Sequence, residues 1–322
     1  MDPVNDSIEY LVIVTNKTTI DLMRSLDFLL LMSKLRIIAS LILVSSLNLF
    51  AQKNQSNSGY NHIASDNKTP DGLNIDVGTG FIYGPNFLGS KENRLNLVPL
   101  LKLMYGTKFS ISYDGIRYDL VNADGFTGGV IGKVAFERRE NDNTPFSLTG
   151  SKSKALLGLG NIPTSFEVGV YGGYTLNSYK FNLEILQGVS GKNEFIGNIG
   201  IQRTEDIHEY FYSAGPPLIW ILGFGTRLVN SNYNNQYFGV NTLQAARSGL
   251  SQYKAKSGFV SYGFDNNFVL PITQSLAAVT LLGYDRLIGS AASSPLVVQR
   301  GSKNQFRFAL FFVYKFENIL NY

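Results

Sequence analysis

Hydrophobic and polar residues alternate along most of this chain with a period of two. In the segment 305–316, every even position carries phenylalanine, leucine or tyrosine, whereas glutamine, arginine, alanine and lysine occupy most odd positions. Successive side chains of a β-strand point to opposite faces, so the segment predicts a strand with one apolar face and one mixed face. A strand of about ten residues with this pattern is typical of a β-barrel that crosses a lipid bilayer.

The same alternation recurs between residues 75 and 286. Its apolar faces carry no charge except Arg138, Arg203 and Arg286, each at a predicted strand end. A lipid-facing arginine would cost about 2–4 kcal/mol at the bilayer midplane, whereas at a strand end its side chain reaches the headgroups. A soluble β-sandwich does not require so many charge-free faces. We therefore predict an all-β fold, a transmembrane antiparallel β-barrel of about 12 strands, or of ten if the chain does not turn at Asp114-Gly115.

The longest apolar run lies near the N-terminus, at residues 33–51. It begins with Lys34 and Arg36 and ends at the small residue Ala51, and it is too short to span a bilayer, which favours a secretory signal peptide over a membrane anchor. We expect the following division: an over-extended N-terminus at 1–31, the signal peptide at 32–51, a flexible periplasmic lead-in at 52–73, the barrel at 74–316 and a C-terminal extension at 317–322.

The lengths of the predicted connections indicate the orientation of the barrel. If the last strand ends in the periplasm, the tight turns lie on the periplasmic side, and only 205–216 is longer than a turn requires. The long connections 84–94, 139–164, 230–256 and 287–303 then all lie outside, as in outer-membrane barrels. The predicted location is the outer membrane of a Gram-negative bacterium, with membrane lipids as the first partners.

The composition gives little support to a catalytic site or a metal site. The chain has no cysteine and only two histidines, His62 and His208, so neither thiol chemistry nor an ordinary zinc site is indicated. A net charge of +4, scattered along the chain, does not point to nucleic acid. We predict no enzymatic activity, no cofactor and no metal.

Charges on the predicted lumenal face are nearly balanced, which favours a closed or plugged barrel over a selective open channel. The 230–256 loop is the candidate plug, with a short helix predicted at 242–250; the alternative is a loop that lies on the surface. The residues of this loop that we single out are Tyr237, Phe238, Gln244, Arg247, Ser248 and Tyr253.

Several motifs resemble the signatures of the MipA/OmpV family, the MltA-interacting outer-membrane proteins. They lie in the predicted opening hairpin, in three long loops and at the ends of strands, over about residues 73–316. The resembling runs are Gly80 to Ser90, Gly158-Leu159-Gly160, Asn232-Tyr233, Tyr237 to Val240, Gln244 to Leu250, Tyr253-Lys254-Ala255 and Tyr284 to Val297. Two departures stand out: Ser290 occupies a position where the family usually has aspartate, and residues 317–322 follow the usual terminal aromatic residue.

The resemblance implies a non-enzymatic role, as a scaffold that joins a murein-cleaving lytic transglycosylase to a murein synthase, or as an envelope-stress surface protein. The alternative is a narrow channel or receptor for small solutes. A scaffold needs periplasmic surface, and the 205–216 turn offers Tyr210, Phe211 and Tyr212 as docking candidates. Aromatic side chains give much contact area at low entropic cost, although these three would also suit the inner aromatic girdle of a barrel.

The signal-like run predicts the N-terminus of the mature protein. N-terminal sequencing of protein from the outer-membrane fraction should give a chain that begins near Gln52, because cleavage would follow Ala51. A chain that begins at Met1 and stays in the cytosol would contradict both the signal peptide and the location.

Overall fold

A computed structural model of the chain describes residues 72–141, 147–149, 153–191 and 193–317. The expected over-extended N-terminus, the signal peptide and the lead-in up to residue 71 lie outside these residues, as does the extension from residue 318. Those expectations stay predictions.

The described residues form thirteen antiparallel strands in one sheet. The strands are β1 (Leu73–Pro85), β2 (Asn93–Tyr105), β3 (Phe109–Ser112), β4 (Gly115–Ala123), β5 (Phe126–Ala135), β6 (Ser147–Thr149), β7 (Ser165–Leu176), β8 (Tyr179–Gly188), β9 (Phe195–Asp206), β10 (Ile219–Val229), β11 (Gly258–Pro271), β12 (Leu276–Leu287) and β13 (Asn304–Phe316). The helices between them are α1 (Ser231–Phe238), α2 (Thr242–Ser248), α3 (Gly289–Ala292) and α4 (Pro295–Arg300), with a short 3₁₀ turn at His208–Tyr210.

The first strand closes the sheet. Strand β1 pairs with β2 on one edge and with β13 on the other, so twelve strands form a closed barrel, and β6 pairs with β2 alone. Ser112 pairs with Gly115, and the chain turns between them. The prediction of a twelve-stranded antiparallel barrel is confirmed, and the ten-strand alternative is wrong.

Along most strands, exposed and buried side chains alternate between the outer and the inner face of the barrel wall, as the sequence predicts. On β13, Phe308 is 42% exposed while its neighbour Ala309 is 0% exposed. The period of two continues from Phe109 and Ile111 to Tyr113 and from Val134 to Phe136, which predicts both aromatic residues on the outer face. This prediction is wrong, because both pack against apolar residues inside the barrel. Each follows the last residue of a strand, where the period of two no longer determines the direction of a side chain.

The connections differ strongly at the two ends of the barrel. One end has the two-residue turns 124–125 and 177–178, and the other has the long connections 136–164, 230–257 and 288–303. In outer-membrane barrels the end with long loops faces outward. None of the helices in the described part of the chain is both long and apolar enough to cross a membrane.

An apolar cluster occupies the inner surface of β1, β2, β12 and β13; we call it the inner cluster. It consists of Ile82, Val98, Val279, Leu281, Ala309, Phe311 and Val313. A Cβ atom on Gly80 would lie 2.5 Å from Cδ1 of Phe311. Glycine at this position therefore lets the Phe311 ring lie across β1.

The two faces of the wall predict opposite outcomes for a new charge. Leu183→Arg, at the middle of the lipid-facing side of β8, should impair assembly, because a lipid-facing arginine costs about 2–4 kcal/mol there. Asn182→Arg is the matched control, since Asn182 points inward and is paired with Gly173 and Gly200, which leave room. Heat-modifiable migration on gels measures the folded fraction, and equal damage from both variants would contradict the assigned faces.

Candidate functional site

Two short helices form in the connection between β10 and β11 because polar side chains cap them. Asn230 accepts a hydrogen bond from the Tyr233 amide at 3.1 Å at the start of α1. Asn241 and Gln244 form a reciprocal capping box at the start of α2. The second helix ends at Gly249, whose φ of 75° suits glycine. The sequence predicted a helix at 242–250, and the observed helix is two residues shorter.

Helix α1 turns its aromatic side chains towards the barrel. Tyr233, Tyr237 and Phe238 are buried, and the rings of the two tyrosines lie 4.5 Å apart. They belong to one apolar cluster with inward-facing residues of the wall, among them Ile131 and Leu186. These contacts place α1 across the outer end of the barrel interior.

Arg138 fastens α1 to the connection after β5. Its Nη1 donates a hydrogen bond to the Tyr237 carbonyl at 2.8 Å, and its guanidinium lies 5.9 Å from the centre of the Tyr237 ring. Arg138 is only 3% exposed, so the expected lipid-facing position at a strand end is wrong. Burial lowers the pKa of Arg138 to about 10, which still leaves it charged at neutral pH.

Ser290 joins two of the long connections. Its carbonyl oxygen accepts a hydrogen bond from the Tyr253 hydroxyl at 2.8 Å, and its Oγ accepts one from the Lys256 amide at 2.8 Å. A neutral hydroxyl therefore makes bonds within this loop cluster. Arg300 makes a second connection, because it donates to the carbonyls of Ala155 at 3.0 Å and of Ser248.

The candidate plug residues lie in different surroundings. Tyr237 and Phe238 are buried, and Gln244 donates to the Leu159 carbonyl at 2.6 Å. Ser248 and Tyr253 make the bonds to Arg300 and Ser290, whereas Arg247 is exposed. A further apolar cluster draws on four connections; it consists of Phe87, Leu156, Leu159, Val240, Leu250 and Leu296. Sequence reasoning missed Arg138, Ser290 and Arg300 as the groups that join these loops.

Charged side chains meet inside the barrel on the wall opposite the inner cluster. Asp114 binds Arg117 at 2.7 Å and Lys133 at 3.2 Å, and Lys133 binds Glu184 at 2.9 Å. The predicted pairing of lumenal charges is thus observed for Arg117, Lys133 and Glu184. Asp114 was predicted only as a turn residue, although a carboxylate at a short hairpin tip could have been recognised as a partner for them.

A second set of ion pairs crosses three neighbouring strands beneath the loops. Arg307 on β13 binds Asp285 on β12 and Asp265 on β11, the latter at 3.2 Å. The period of two also predicts a lumenal position for Glu137, but Glu137 pairs with the half-exposed Arg139 in the outer connection. Among the residues with described placement, no group of three or more histidine, aspartate and glutamate side chains could hold a metal ion.

The turn between β9 and β10 exposes aromatic side chains at the opposite, periplasmic end. Tyr210 is 86% exposed and Phe211 is 68% exposed. Tyr212 differs, because its hydroxyl donates to the Pro216 carbonyl at 2.6 Å and its ring lies 5.8 Å from that of His208. Of the three docking candidates, Tyr212 therefore stabilises the turn, whereas Tyr210 and Phe211 project from it.

Comparison with known proteins gives one family. The family model described as MltA-interacting protein MipA matches residues 77–316. The COG4313 outer membrane channel from Pseudomonas putida F1 is similar in structure, with 12% identity and a TM-score of 0.40, over 79% of this chain and 100% of that one. OprD from Pseudomonas aeruginosa is similar with 13% identity and a TM-score of 0.31, over 76% of this chain and 65% of that one. No curated protein matches the chain in sequence.

The hydrogen bond from Arg138 to the Tyr237 carbonyl should stabilise the position of α1 in the barrel. Arg138→Ala should lower the temperature at which the barrel unfolds on gels and make the 230–257 connection more sensitive to added protease. The physical reason is that a lost buried hydrogen bond costs about 1–3 kcal/mol. Arg139→Ala is the control, since Arg139 is half-exposed and pairs only at the surface. Equal effects of the two changes would contradict a fastening role for Arg138.

Proposed function

The chain belongs to the family of MltA-interacting proteins, and from this premise we propose that it docks a murein-cleaving lytic transglycosylase at its periplasmic end. It is an integral β-barrel of the outer membrane of a Gram-negative bacterium. The proposed role is that of a non-enzymatic scaffold, with a murein synthase as a second partner in the periplasm.

The observation that carries the docking proposal is the exposure of Tyr210 and Phe211. Lipid-facing aromatic residues in the middle of the wall, such as Phe264, are about half exposed, whereas Tyr210 is 86% exposed. A side chain at that exposure projects away from its own protein. Large aromatic residues are the typical anchors of protein interfaces, because they fill a partner's pocket at a small loss of side-chain entropy.

The turn that carries these two residues is fixed before a partner arrives. The Asp206 carboxylate accepts hydrogen bonds from the amides of His208 and Leu218, both at 3.1 Å, and so joins the two arms of the turn. Tyr212 closes it through Pro216. A preformed turn loses little conformational entropy on binding, which favours docking over a role in the aromatic girdle.

The outer end of the barrel supports a scaffold over a channel. Helix α1 and the connections joined by Arg138, Ser290 and Arg300 lie over the interior. Beneath them, Lys133 and Arg307 are paired with carboxylates. A barrel filled in this way offers its partners a surface rather than a conducting pore.

Binding of a purified lytic transglycosylase to the refolded barrel tests the docking surface. The Tyr210→Ala/Phe211→Ala double variant should bind at least about thirtyfold more weakly, because truncating an interface anchor typically costs about 2 kcal/mol or more. Ile272→Ala is the matched control, an exposed apolar residue on another periplasmic turn.

The variants must fold and insert as the parent does, which heat-modifiable migration measures. The parent barrel should also show no steady single-channel conductance in a planar bilayer. Unchanged affinity in the double variant would remove the docking surface from the proposal, and a stable conductance would favour the channel alternative instead.

A further inference from the structure

The outer end of strands β11, β12 and β13 carries an arginine on the lipid-facing side of the wall. Arg286 is the second-last residue of β12, and it is paired with Tyr262 of β11 and with Asn304 of β13. Arg286 is exposed, whereas its neighbour Asp285 is buried and points into the barrel. Arg286 therefore faces the membrane at the level where the wall meets the long outer connections.

The side chain of Asn304 holds the guanidinium group of Arg286 in place. Its oxygen accepts a hydrogen bond from Nη1 of Arg286 at 2.8 Å and another from the Tyr284 hydroxyl at 3.0 Å. A guanidinium group has five N–H donors in a planar fork, and Asn304 uses one of them. Among the residues that the structure describes, the other donors of Arg286 have no partner. The bond thus orients the group and leaves its charge in place.

The carboxylates of this part of the sheet are engaged elsewhere. Asp285 and Asp265 both bind Arg307 inside the barrel. The connections 230–257 and 288–303, which adjoin the outer ends of β11, β12 and β13, contain five lysine and arginine residues and no aspartate or glutamate. The outer end of these three strands therefore has an excess of positive charge.

Two lysines of these connections lie beside the outer strand ends. Lys303 directly precedes Asn304, and its carbonyl oxygen accepts a hydrogen bond from the Leu287 amide at 2.8 Å. The Lys256 amide donates to Ser290 Oγ at 2.8 Å, which places the backbone of Lys256 next to the connection that follows β12. Both lysines are exposed. Because the attraction of neighbouring cations for an anion adds up, this part of the surface favours a negatively charged ligand.

Aromatic rings continue the lipid-facing surface below Arg286. The ring of Tyr284 lies 5.2 Å from that of Phe264 on β11 and 4.8 Å from that of Phe306 on β13. Phe264 and Phe306 are exposed, so three neighbouring strands present one aromatic surface to the hydrocarbon of the membrane. We call this surface, together with the arginine above it, the rim site; it consists of Phe264, Tyr284, Arg286, Asn304 and Phe306.

A lipid-facing arginine at the opposite end of the barrel has different surroundings. Arg203 of β9 donates from Nε to the Glu205 carboxylate at 2.8 Å, and its guanidinium lies 5.7 Å from the centre of the Tyr179 ring. Its charge is balanced within the protein. Arg286 has a neutral partner instead, so its charge remains available to a ligand from the membrane.

We propose that the rim site binds a phosphorylated lipid of the outer leaflet. The phosphate accepts hydrogen bonds from the guanidinium group of Arg286, whose planar fork matches the spacing of phosphate oxygens. The acyl chains lie against the rings of Tyr284 and Phe306. In Gram-negative bacteria the outer leaflet is built on lipid A, a glycolipid that carries phosphate on its sugars at the surface of the membrane.

The alternative ligand with the same chemistry is a phosphate ion in solution. A free ion bonds to a guanidinium group as well, but it gains nothing from the aromatic surface. In the rim site the two parts are adjacent, because Arg286 and Tyr284 donate to the same oxygen of Asn304. A ligand that has both phosphate and acyl chains contacts both parts, which favours the lipid over the ion.

Native mass spectrometry of the refolded protein in detergent micelles tests the rim site. The probes are diphosphorylated lipid A and the same lipid after removal of its phosphates, each titrated against the protein. Arg286→Gln removes the charge and keeps a polar side chain. Arg203→Gln is the matched control, a lipid-facing arginine at the other end of the barrel. Heat-modifiable migration checks that each variant is folded.

We expect the parent protein to bind one diphosphorylated lipid A at least about tenfold more tightly than the dephosphorylated lipid, because hydrogen bonds between charged groups are stronger than neutral ones. Arg286→Gln should abolish this preference, whereas Arg203→Gln should keep it. The preference is a ratio measured within each variant, so a general change in lipid uptake does not alter it.

Four results would overturn the proposal. Equal binding of the two lipids by the parent would show apolar contact alone, and this comparison requires no variant to fold. A preference that survives Arg286→Gln would place the phosphate elsewhere. An equal loss in Arg203→Gln would show a general effect of removing an arginine. Inorganic phosphate that competes as strongly as lipid A at equal concentration would identify a free ion as the ligand.

Discussion

The need to satisfy backbone hydrogen bonds inside a lipid bilayer is the constraint on which this structure depends. Each unpaired backbone group in hydrocarbon costs several kcal/mol, so a sheet that crosses a membrane must close on itself. Here the closure is made by β1, which pairs with β2 from Leu73 to Pro85 on one edge and with β13 from Ile75 to Tyr83 on the other. The outward apolar faces, the inward charges and the long outer connections all follow from that closed wall.

Closure creates an interior that must be filled, and this barrel fills it in two ways. On one side, the inner cluster packs across the small residue Gly80, which lets Phe311 approach the backbone of β1. On the other side, Lys133 and Glu184 pair within a charged network. Helix α1 then adds aromatic side chains from the outer end. The apolar contacts and the paired charges therefore occupy opposite sides of the interior.

The candidate docking surface lies at one end of the barrel rather than in its interior. At the periplasmic end, Tyr210 and Phe211 project from a turn that Asp206 holds in shape.

The sequence by itself determined the architecture in outline: the outward-facing apolar side of most strands, a closed wall of about twelve strands, or of ten without the turn at Asp114-Gly115, and the end at which the long loops lie. These properties are local, because a period of two and a turn signal such as Asp114-Gly115 act over a few residues. The family signatures are local too, because each is a short run of residues that can be recognised without the structure. The tertiary structure decided what Tyr113 and Phe136 do beyond the ends of their strands, and which loops Arg138 and Arg300 join. Those contacts connect residues about 100 or more positions apart along the chain. Such residues meet only after the barrel has closed, so a pattern that acts over a few residues cannot predict which of them pair.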